Sequence, residues 1–296
     1  MCNKIGIKST RIVCSLCHRS YTNLYSNHSI RILVTLNFKT TTSHLKREVA
    51  LGKVEEYLRD EIKNHGTICL PLIDSENSTD AASIARAVEE RGASAILVGG
   101  SSTVDQLELA KLVVEIKSTV NVPVILFPGN VTGVSPKADA ILFSSLLNSE
   151  NTYFITEAQA LGALAVKKYA IEPLPTAYII VGEGTAAWFV GRARGIPFHK
   201  PNLAVMYSLA AQYMGMRFVY LEAGSGAAEN VPPEMVAMVR KHYDGIIIVG
   251  GGIKSPETAS QIAKAGADII VIGTMIEKED NWQEKFSSIV KAIRVR

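Results

Sequence analysis

No apolar run in the 296-residue chain approaches the ~18 residues that a membrane-crossing helix needs. Asp and Glu are absent from residues 1–47, which carry eight Lys or Arg. Cysteine is scarce, and three of the four (Cys2, Cys14 and Cys17) fall in that same segment. Cys14-Ser-Leu-Cys17-His18 has the literal form of a haem-attachment motif and of half a zinc site. The second pair of zinc ligands is missing, because the next cysteine, Cys69, lies inside an apolar run and reads as a small core residue. A basic, acid-free, Ser/Thr-rich stretch without a sustained apolar period has the composition of a targeting peptide, or of an upstream stretch read from a wrong start codon. Residues 1–47 are therefore set apart as a leader expected to be dispensable, with Ile30–Phe38 its one strand-like run. The body that remains, 48–296, holds 23 basic and 28 acidic residues, so it is net −5 although the chain is +3. By charge it is not a nucleic-acid binder. Its expected location is the cytoplasm.

What the body has in abundance is short apolar runs. Apolar residues make up 47% of the chain, enough for a sizeable core. Val49–Lys63 reads as a helix with Val54, Leu58 and Ile62 on one stripe. Eight runs follow: Ile68–Ile73, Ala95–Val98, Pro123–Phe127, Ala140–Phe143, Ala177–Val181, Phe218–Leu221, Ile246–Val249 and Ile269–Ile272. Each is rich in Val, Ile or Leu, as strands buried on both faces are. Helical patterns separate most of them, at Thr79–Arg91, Val104–Ser118, Thr156–Tyr169, Lys200–Met214, Pro233–His242 and Pro256–Ala265, with a last one at Trp282–Arg294. Eight alternating βα units over this length predict an α/β fold, a parallel (β/α)8 barrel of the TIM type. A doubly wound open sheet is the alternative, but it usually has fewer strands and an early Gly-rich fingerprint. Between the third and fourth runs lies only Pro128–Asp139, with two Gly and two Pro. That segment cannot hold a normal helix, so the third outer helix is expected to be missing.

In such barrels chemistry sits where strands end. Gly251-Gly252-Ile253-Lys254-Ser255-Pro256 after the seventh run and Gly273-Thr274 after the eighth have the form of a phosphate grip. Glycine lets backbone N–H groups approach an anion, and the helix start behind the loop adds a favourable dipole. The plainer reading is a pair of tight turns. Asp74 ends the first run beside the Ser101 end of the second, a carboxylate and a hydroxyl that suit Mg2+ with a diphosphate. Asp74 as a cap of the following helix is the alternative. Glu222 ends the sixth run against Gly224-Ser225-Gly226, where a carboxylate can take a proton from a substrate hydroxyl. A salt bridge at the barrel top is the competing role. Strand alternation puts Tyr220 on the same face, and a buried Tyr needs a hydrogen-bond partner that a substrate can supply.

Taken in order, Leu72-Ile73-Asp74, Val98-Gly99-Gly100-Ser101, Leu126-Phe127-Pro128-Gly129-Asn130, Leu146-Leu147-Asn148-Ser149, Tyr220-Leu221-Glu222-Ala223-Gly224-Ser225-Gly226, Val249-Gly250-Gly251-Gly252-Ile253 and Ile272-Gly273-Thr274 resemble the geranylgeranylglyceryl phosphate synthase family of archaeal ether-lipid synthesis. The resemblance covers roughly residues 50–292. It implies a barrel whose third helix is replaced by an irregular segment, sn-glycerol-1-phosphate as acceptor, and geranylgeranyl diphosphate as donor. It further implies Mg2+ on Asp74 and Ser101, with Glu222 as the base. Glycerol phosphate would bind Tyr220, Leu221, Glu222, Ala223, Gly224, Ser225, Gly226, Gly251, Gly252, Gly273 and Thr274. A homo-oligomer and a peripheral membrane contact for product release are expected with it. One departure is visible: the family reads Asp-Pro-Asp where this chain has Asp74-Ser75-Glu76. Alternatives left open are a heptaprenyl-transferring relative, another phosphate-binding barrel enzyme, and a barrel that only binds lipid phosphate. An aldolase is disfavoured because none of the eight runs ends in lysine. A flavin-dependent barrel would declare itself by its absorbance.

Overall fold

Side chains alternate along a strand, so a barrel strand must be apolar toward both its axis and its helices. The eight runs satisfy this and form the strands β1 (Ile68–Asp74), β2 (Ile96–Gly100), β3 (Val124–Pro128), β4 (Ala140–Leu146), β5 (Glu172–Ile180), β6 (Phe218–Glu222), β7 (Ile246–Gly250) and β8 (Ile269–Ile272). Every strand pairs in parallel with the next, and β8 closes on β1 through Ile269 to Ile272 against Ile68 to Pro71. The computed structural model describes residues 51–74, 80–100 and 105–294, with the backbone of 12–14 and 19–21.

One set of side chains fills the barrel axis, including Ile68, Leu70, Leu97, Ile125, Leu142, Leu174, Phe218, Ile248 and Val271. The alternate set, including Cys69, Ile96, Val98, Leu126, Ile179, Val219, Leu221 and Ile270, packs outward under the helices. These are α2 (Ala81–Glu90), α3 (Gln106–Lys117), α4 (Ala158–Tyr169), α6 (Pro201–Tyr213), α7 (Pro233–His242), α8 (Pro256–Lys264) and α10 (Trp282–Ile293). Two short helices were not expected from the sequence: α5 (Ala186–Gly191) and α9 (Thr274–Lys278). The third outer helix is indeed missing: between β3 and β4 there is only one 3-10 turn, Val131–Gly133, whose start Asn130 caps by accepting from Thr132 N at 2.8 Å. No helix among the described residues is long and apolar enough to cross a membrane.

β5 begins five residues before its expected start. Pro173 and Pro175 disguise it, since proline cannot donate to a ladder. They are tolerated because this part of the strand is flanked only by β4; pairing with β6 begins at Thr176.

Helix α1 (Lys53–His65) contributes Val54 and Leu58 to the axial core and so closes the N-terminal end of the barrel. Glu172, at the start of β5, accepts from Val54 N and Glu55 N at 2.7 and 2.8 Å, binding the helix start to the sheet. Glu55 is fully buried, held by Arg59 and, through Nε to both oxygens at 2.9 and 2.8 Å, by Arg217. Removing one partner from such a group leaves a poorly compensated buried charge. Arg217→Ala is therefore expected to lower stability by about 3 kcal/mol, read from the urea midpoint, with substrate affinities unchanged because the chemistry lies at the other end. A loss too small to resolve would mean that Arg59 alone holds Glu55.

Contacts divide the chain into two units, 1–49 and 50–296. In the first, Ile12–Cys14 and Arg19–Tyr21 pair as antiparallel strands. The strand expected at Ile30–Phe38, and Cys17 and His18 of the cysteine motif, lie outside the described residues.

Candidate active site

The parity that fills the axis with Ile and Leu places a different set of residues at the strand ends. Asp74, Gly99, Phe127, Ser144, Tyr178, Glu222, Gly250 and Gly273 continue the inward rows. All but Gly250 line one cavity of about 490 Å3, a size ordinary for a small-molecule site. Tyr220, Ser225, Gly226, Gly251, Gly252 and Thr274 line it too. Leu221 and Ala223 do not, because alternation sends their side chains into the outer core. Gly224 lies behind the wall, against Thr185. Ser101 is outside the described residues.

Glu222 is buried, with 6% of its surface exposed, and no lysine or arginine among the described residues pairs with it. The salt-bridge role therefore lacks a partner there. Its carboxylate accepts from Gly224 N at Oε1, 2.6 Å away. Burial raises the Glu222 carboxyl above its ordinary 4.5, while the Tyr220 phenol and the Gly224 N–H pull the other way. Burial is the strongest of these, so the group is a better base than an exposed glutamate. Tyr220 Oη sits beside the carboxylate without meeting the geometry of a hydrogen bond, and is buried with no partner. Burial and the Glu222 charge both push its hydroxyl up, so it stays protonated. A buried hydroxyl unpartnered at a cavity wall is a place where a ligand atom belongs.

The glycines behind Glu222 are there for space. At Gly251, with φ +82°, an added Cβ would collide with the Glu222 carboxylate and with Gly224 N. Only glycine lets this loop pass so close to the acid. Across the cavity, Thr274 Oγ1 accepts from Gly226 N at 3.1 Å and lies 2.9 Å from Ser225 Oγ, which ties the β6 loop to the β8 loop. Ser255 caps α8, accepting from Thr258 N at 3.2 Å, with Pro256 in the first turn. Ser225, Gly226, Gly251, Gly252 and Thr274 thus line one pocket, and glycine loops and hydroxyls of this kind suit an anion. Lys254 and Lys278 stand in the same wall and add positive charge.

Next to β8 in the closed sheet, Asp74 ends β1 beside Gly99 of β2. It is not the cap of α2, whose cap residue is Asp80. Glu277 of α9 shares the wall; burial raises its carboxyl, and the Asp74 charge raises it further. Two neighbouring carboxylates fit a hard divalent cation. Among the described residues no group of three or more His, Cys, Asp or Glu has metal-site geometry.

Sequence reasoning missed Phe127, Tyr178 and Glu277. Phe127, Tyr178 and Tyr220 form an aromatic wall beside Glu222, with centroids 5.2–5.4 Å apart. The one available signal was parity: Tyr178 stands level with Tyr220 in the β5–β6 register. From this wall an apolar limb of the cavity runs outward past Val131, Val134, Ile141, Phe143 and Val166, through the place that the missing helix leaves open.

Residues 61–293 match the model of the PcrB family. The chain is 59% identical over 248 residues to the geranylgeranylglyceryl phosphate synthase of Nitrosopumilus maritimus, covering 83% of this chain and 99% of that protein. It is equally 59% identical, over 245 residues, to the enzyme of the same name from Cenarchaeum symbiosum, covering 82% and 99%. Among solved structures it is similar to the (S)-3-O-geranylgeranylglyceryl phosphate synthase of Thermoplasma acidophilum in complex with its substrate sn-glycerol-1-phosphate. There the TM-score is 0.78 and the identity 38%, over 83% of this chain and 99% of that one. A tryptophan synthase from Mycobacterium tuberculosis, 13% identical at a TM-score of 0.59, shares the fold alone.

Proposed function

The chain belongs to the PcrB family, and from that membership we infer that it is a geranylgeranylglyceryl phosphate synthase, a prenyltransferase that makes the first ether bond of archaeal membrane lipids. It transfers the geranylgeranyl group of geranylgeranyl diphosphate to the 3-hydroxyl of sn-glycerol-1-phosphate. The observation that carries this is the Glu222–Tyr220 pair: a buried carboxylate without a cation among the described residues, beside a buried hydroxyl without a partner, next to a glycine-built anion pocket.

The N–H groups of the Gly226 and Gly252 loops and the Thr274 hydroxyl hold the acceptor phosphate, helped by Lys254 and Lys278. Tyr220 and Glu222 then meet the glycerol hydroxyls. Glu222 takes the proton of the 3-hydroxyl as its oxygen bonds to the allylic carbon, and the bond from that carbon to the diphosphate oxygen breaks. Fixing both substrates in line supplies much of the acceleration. Asp74, with Ser101, would hold Mg2+ at the diphosphate end. Mg2+ supplies neutralisation of the charge that builds on the leaving diphosphate. The aromatic wall keeps water from the allylic carbon, and the apolar limb takes the hydrocarbon chain.

The direct test is incubation with Mg2+, sn-glycerol-1-phosphate and geranylgeranyl diphosphate, followed by extraction of the product into organic solvent. Diphosphate release without an extractable ether would defeat this reading. The enzyme is further proposed to work in the cytoplasm as a homo-oligomer, touching the membrane surface only to release product. A chain starting at Glu48 is expected to keep its turnover and melting temperature and to sediment as an oligomer. Loss of the fold on that truncation, or a monomer in the centrifuge, would remove the corresponding part.

A further inference from the structure

We propose that Thr185 is a positioning residue for the base: its side chain holds Gly224 where the Gly224 N–H meets the Glu222 carboxylate. The inference rests on Glu222 being the base of the prenyl transfer above. Past Ala223, whose N–H still reaches Gly250 O at 3.0 Å, the chain leaves the sheet. Gly224 follows at φ +103° and has no side chain with which to anchor itself. A glycine there is free to adopt many conformations. Its N–H nevertheless meets Glu222 Oε1 at 2.6 Å. Two neighbours hold it. One is Gly251, whose backbone comes so close that an added Cβ would strike Gly224 N. The other is Thr185, whose Cβ, Cγ2 and Oγ1 occupy the space that a side chain at 224 would need.

Thr185 is delivered by α5, a helix too short to stand alone. Ala187 and Trp188 of that helix pack against a small core of Leu146, Ile180 and Ala193. Thr185 O accepts from Phe189 N at 2.9 Å, and Gly182 N donates to Ile196 O at 2.8 Å, so the chain is tied down on either side of Thr185. What Thr185 contributes is shape. It does not line the cavity, and its hydroxyl is buried with no partner among the described residues. A buried hydroxyl in that state adds no stability, so the branched side chain is what supports Gly224. The titratable groups facing Glu222 are Tyr178 from β5 and Tyr220 from β6, both kept protonated by burial and by the Glu222 charge. β7 brings only Gly250 and Gly251. Of the charged cavity residues, Asp74, Lys254, Glu277 and Lys278, none shifts the Glu222 carboxyl. The Gly224 N–H is therefore one of two groups that favour its ionised form, with Tyr220 the other.

The test uses the full chain with Thr185→Ala and Thr185→Val. The Glu222 carboxyl is followed by 13C NMR, assigned with Glu222→Gln, beside steady-state kinetics. In Thr185→Ala the support is lost and the Gly224 N–H drifts from Oε1, so Glu222 is expected to titrate at higher pH than in the wild type. The acid limb of kcat/KM moves up with it. At neutral pH kcat is expected to fall about tenfold to a hundredfold, the scale of a misplaced catalytic group. KM for glycerol phosphate should change by less than about threefold, under the worth of one hydrogen bond, because Ser225 and Gly226 stay tied to Thr274. Thr185→Val keeps the branched shape and is expected to restore the wild-type titration and rate. If the alanine variant does not fold, Thr185→Ser, which removes only the methyl, takes its place with the same expected directions. A folded alanine or serine variant with the wild-type titration would overturn the proposal, since a role in the fold alone lowers the melting temperature without moving that titration. A shifted titration at an unchanged rate would overturn it too, because the contact would then not serve the base. So would a valine variant as slow as the alanine one, since the hydroxyl and not the shape would then act. If the wild type does not turn over donor and acceptor, the reaction reading fails, and the titrations still decide whether Thr185 places the carboxylate.

Discussion

Glu222→Gln is expected to slow the single-turnover reaction by about 10²–10⁴, the usual loss of a general base, while both substrates still bind. The amide keeps the shape and still accepts from Gly224 N, but it cannot take the hydroxyl proton. Acceptor affinity changes far less, since the Gly226, Gly252 and Thr274 groups carry the phosphate. The same substitution separates catalysis from stability. Burial raises the Glu222 carboxyl above its ordinary 4.5, so the folded state holds that proton to higher pH than the unfolded chain does. The stability linked to that proton is present below the ordinary value and is lost as pH rises through the raised one. At neutral pH the ionised acid therefore weakens the fold, and the glutamine variant is expected to melt no lower than the wild type, and higher if anything. In the wild type kcat/KM should fall as pH drops through the raised value, with an acid limb lying above 4.5. The residual activity of the variant should lack that limb. A variant with near-normal rate would remove Glu222 from the mechanism. One that lost several degrees of melting temperature would show that the carboxylate holds the fold through a partner.

How much of this can be read without coordinates follows from burial. The strands are buried on both faces, so they appear as apolar runs and can be counted. The missing helix is visible because Pro128, Gly129, Gly133 and Pro136 cannot build one. The start of β5 is hidden by Pro173 and Pro175, and α5 and α9 are too short to show a period. In the site, Asp74, Glu222 and the glycine loops stand out because a carboxylate or a run of glycines at the end of an apolar strand has no packing purpose. Phe127 and Tyr178 sit inside apolar runs and look like core until register assigns them an inward face. Lys254, Lys278 and Glu277 read as solvated charges, since nothing local says that they border a cavity.

Asp74→Asn is expected to weaken donor binding in the presence of Mg2+ by at least roughly 10–100-fold, a loss already typical of residues one shell further from a metal, while glycerol phosphate affinity moves by less than about twofold, well inside the scale of one hydrogen bond. The asymmetry follows from position. Asp74 ends β1, where its charge acts on Glu277, whereas the acceptor phosphate is assigned to Gly226, Gly252 and Thr274. Asparagine keeps the size and an oxygen but removes the charge that a divalent cation requires. The fold gives a second discriminator. The Asp74 charge pushes the Glu277 carboxyl up, so in the absence of a cation the two acids repel. Neutralising one relieves that repulsion, so the metal-free variant is expected to melt at or above the wild-type temperature. Adding Mg2+ with a hydrolysis-resistant thiolodiphosphate analogue of geranylgeranyl diphosphate should then raise the melting temperature of the wild type much more than that of the variant, by mass action on a site only the wild type retains. Equal losses for donor and acceptor, or a metal-free variant that melts several degrees lower, would make Asp74 a structural residue.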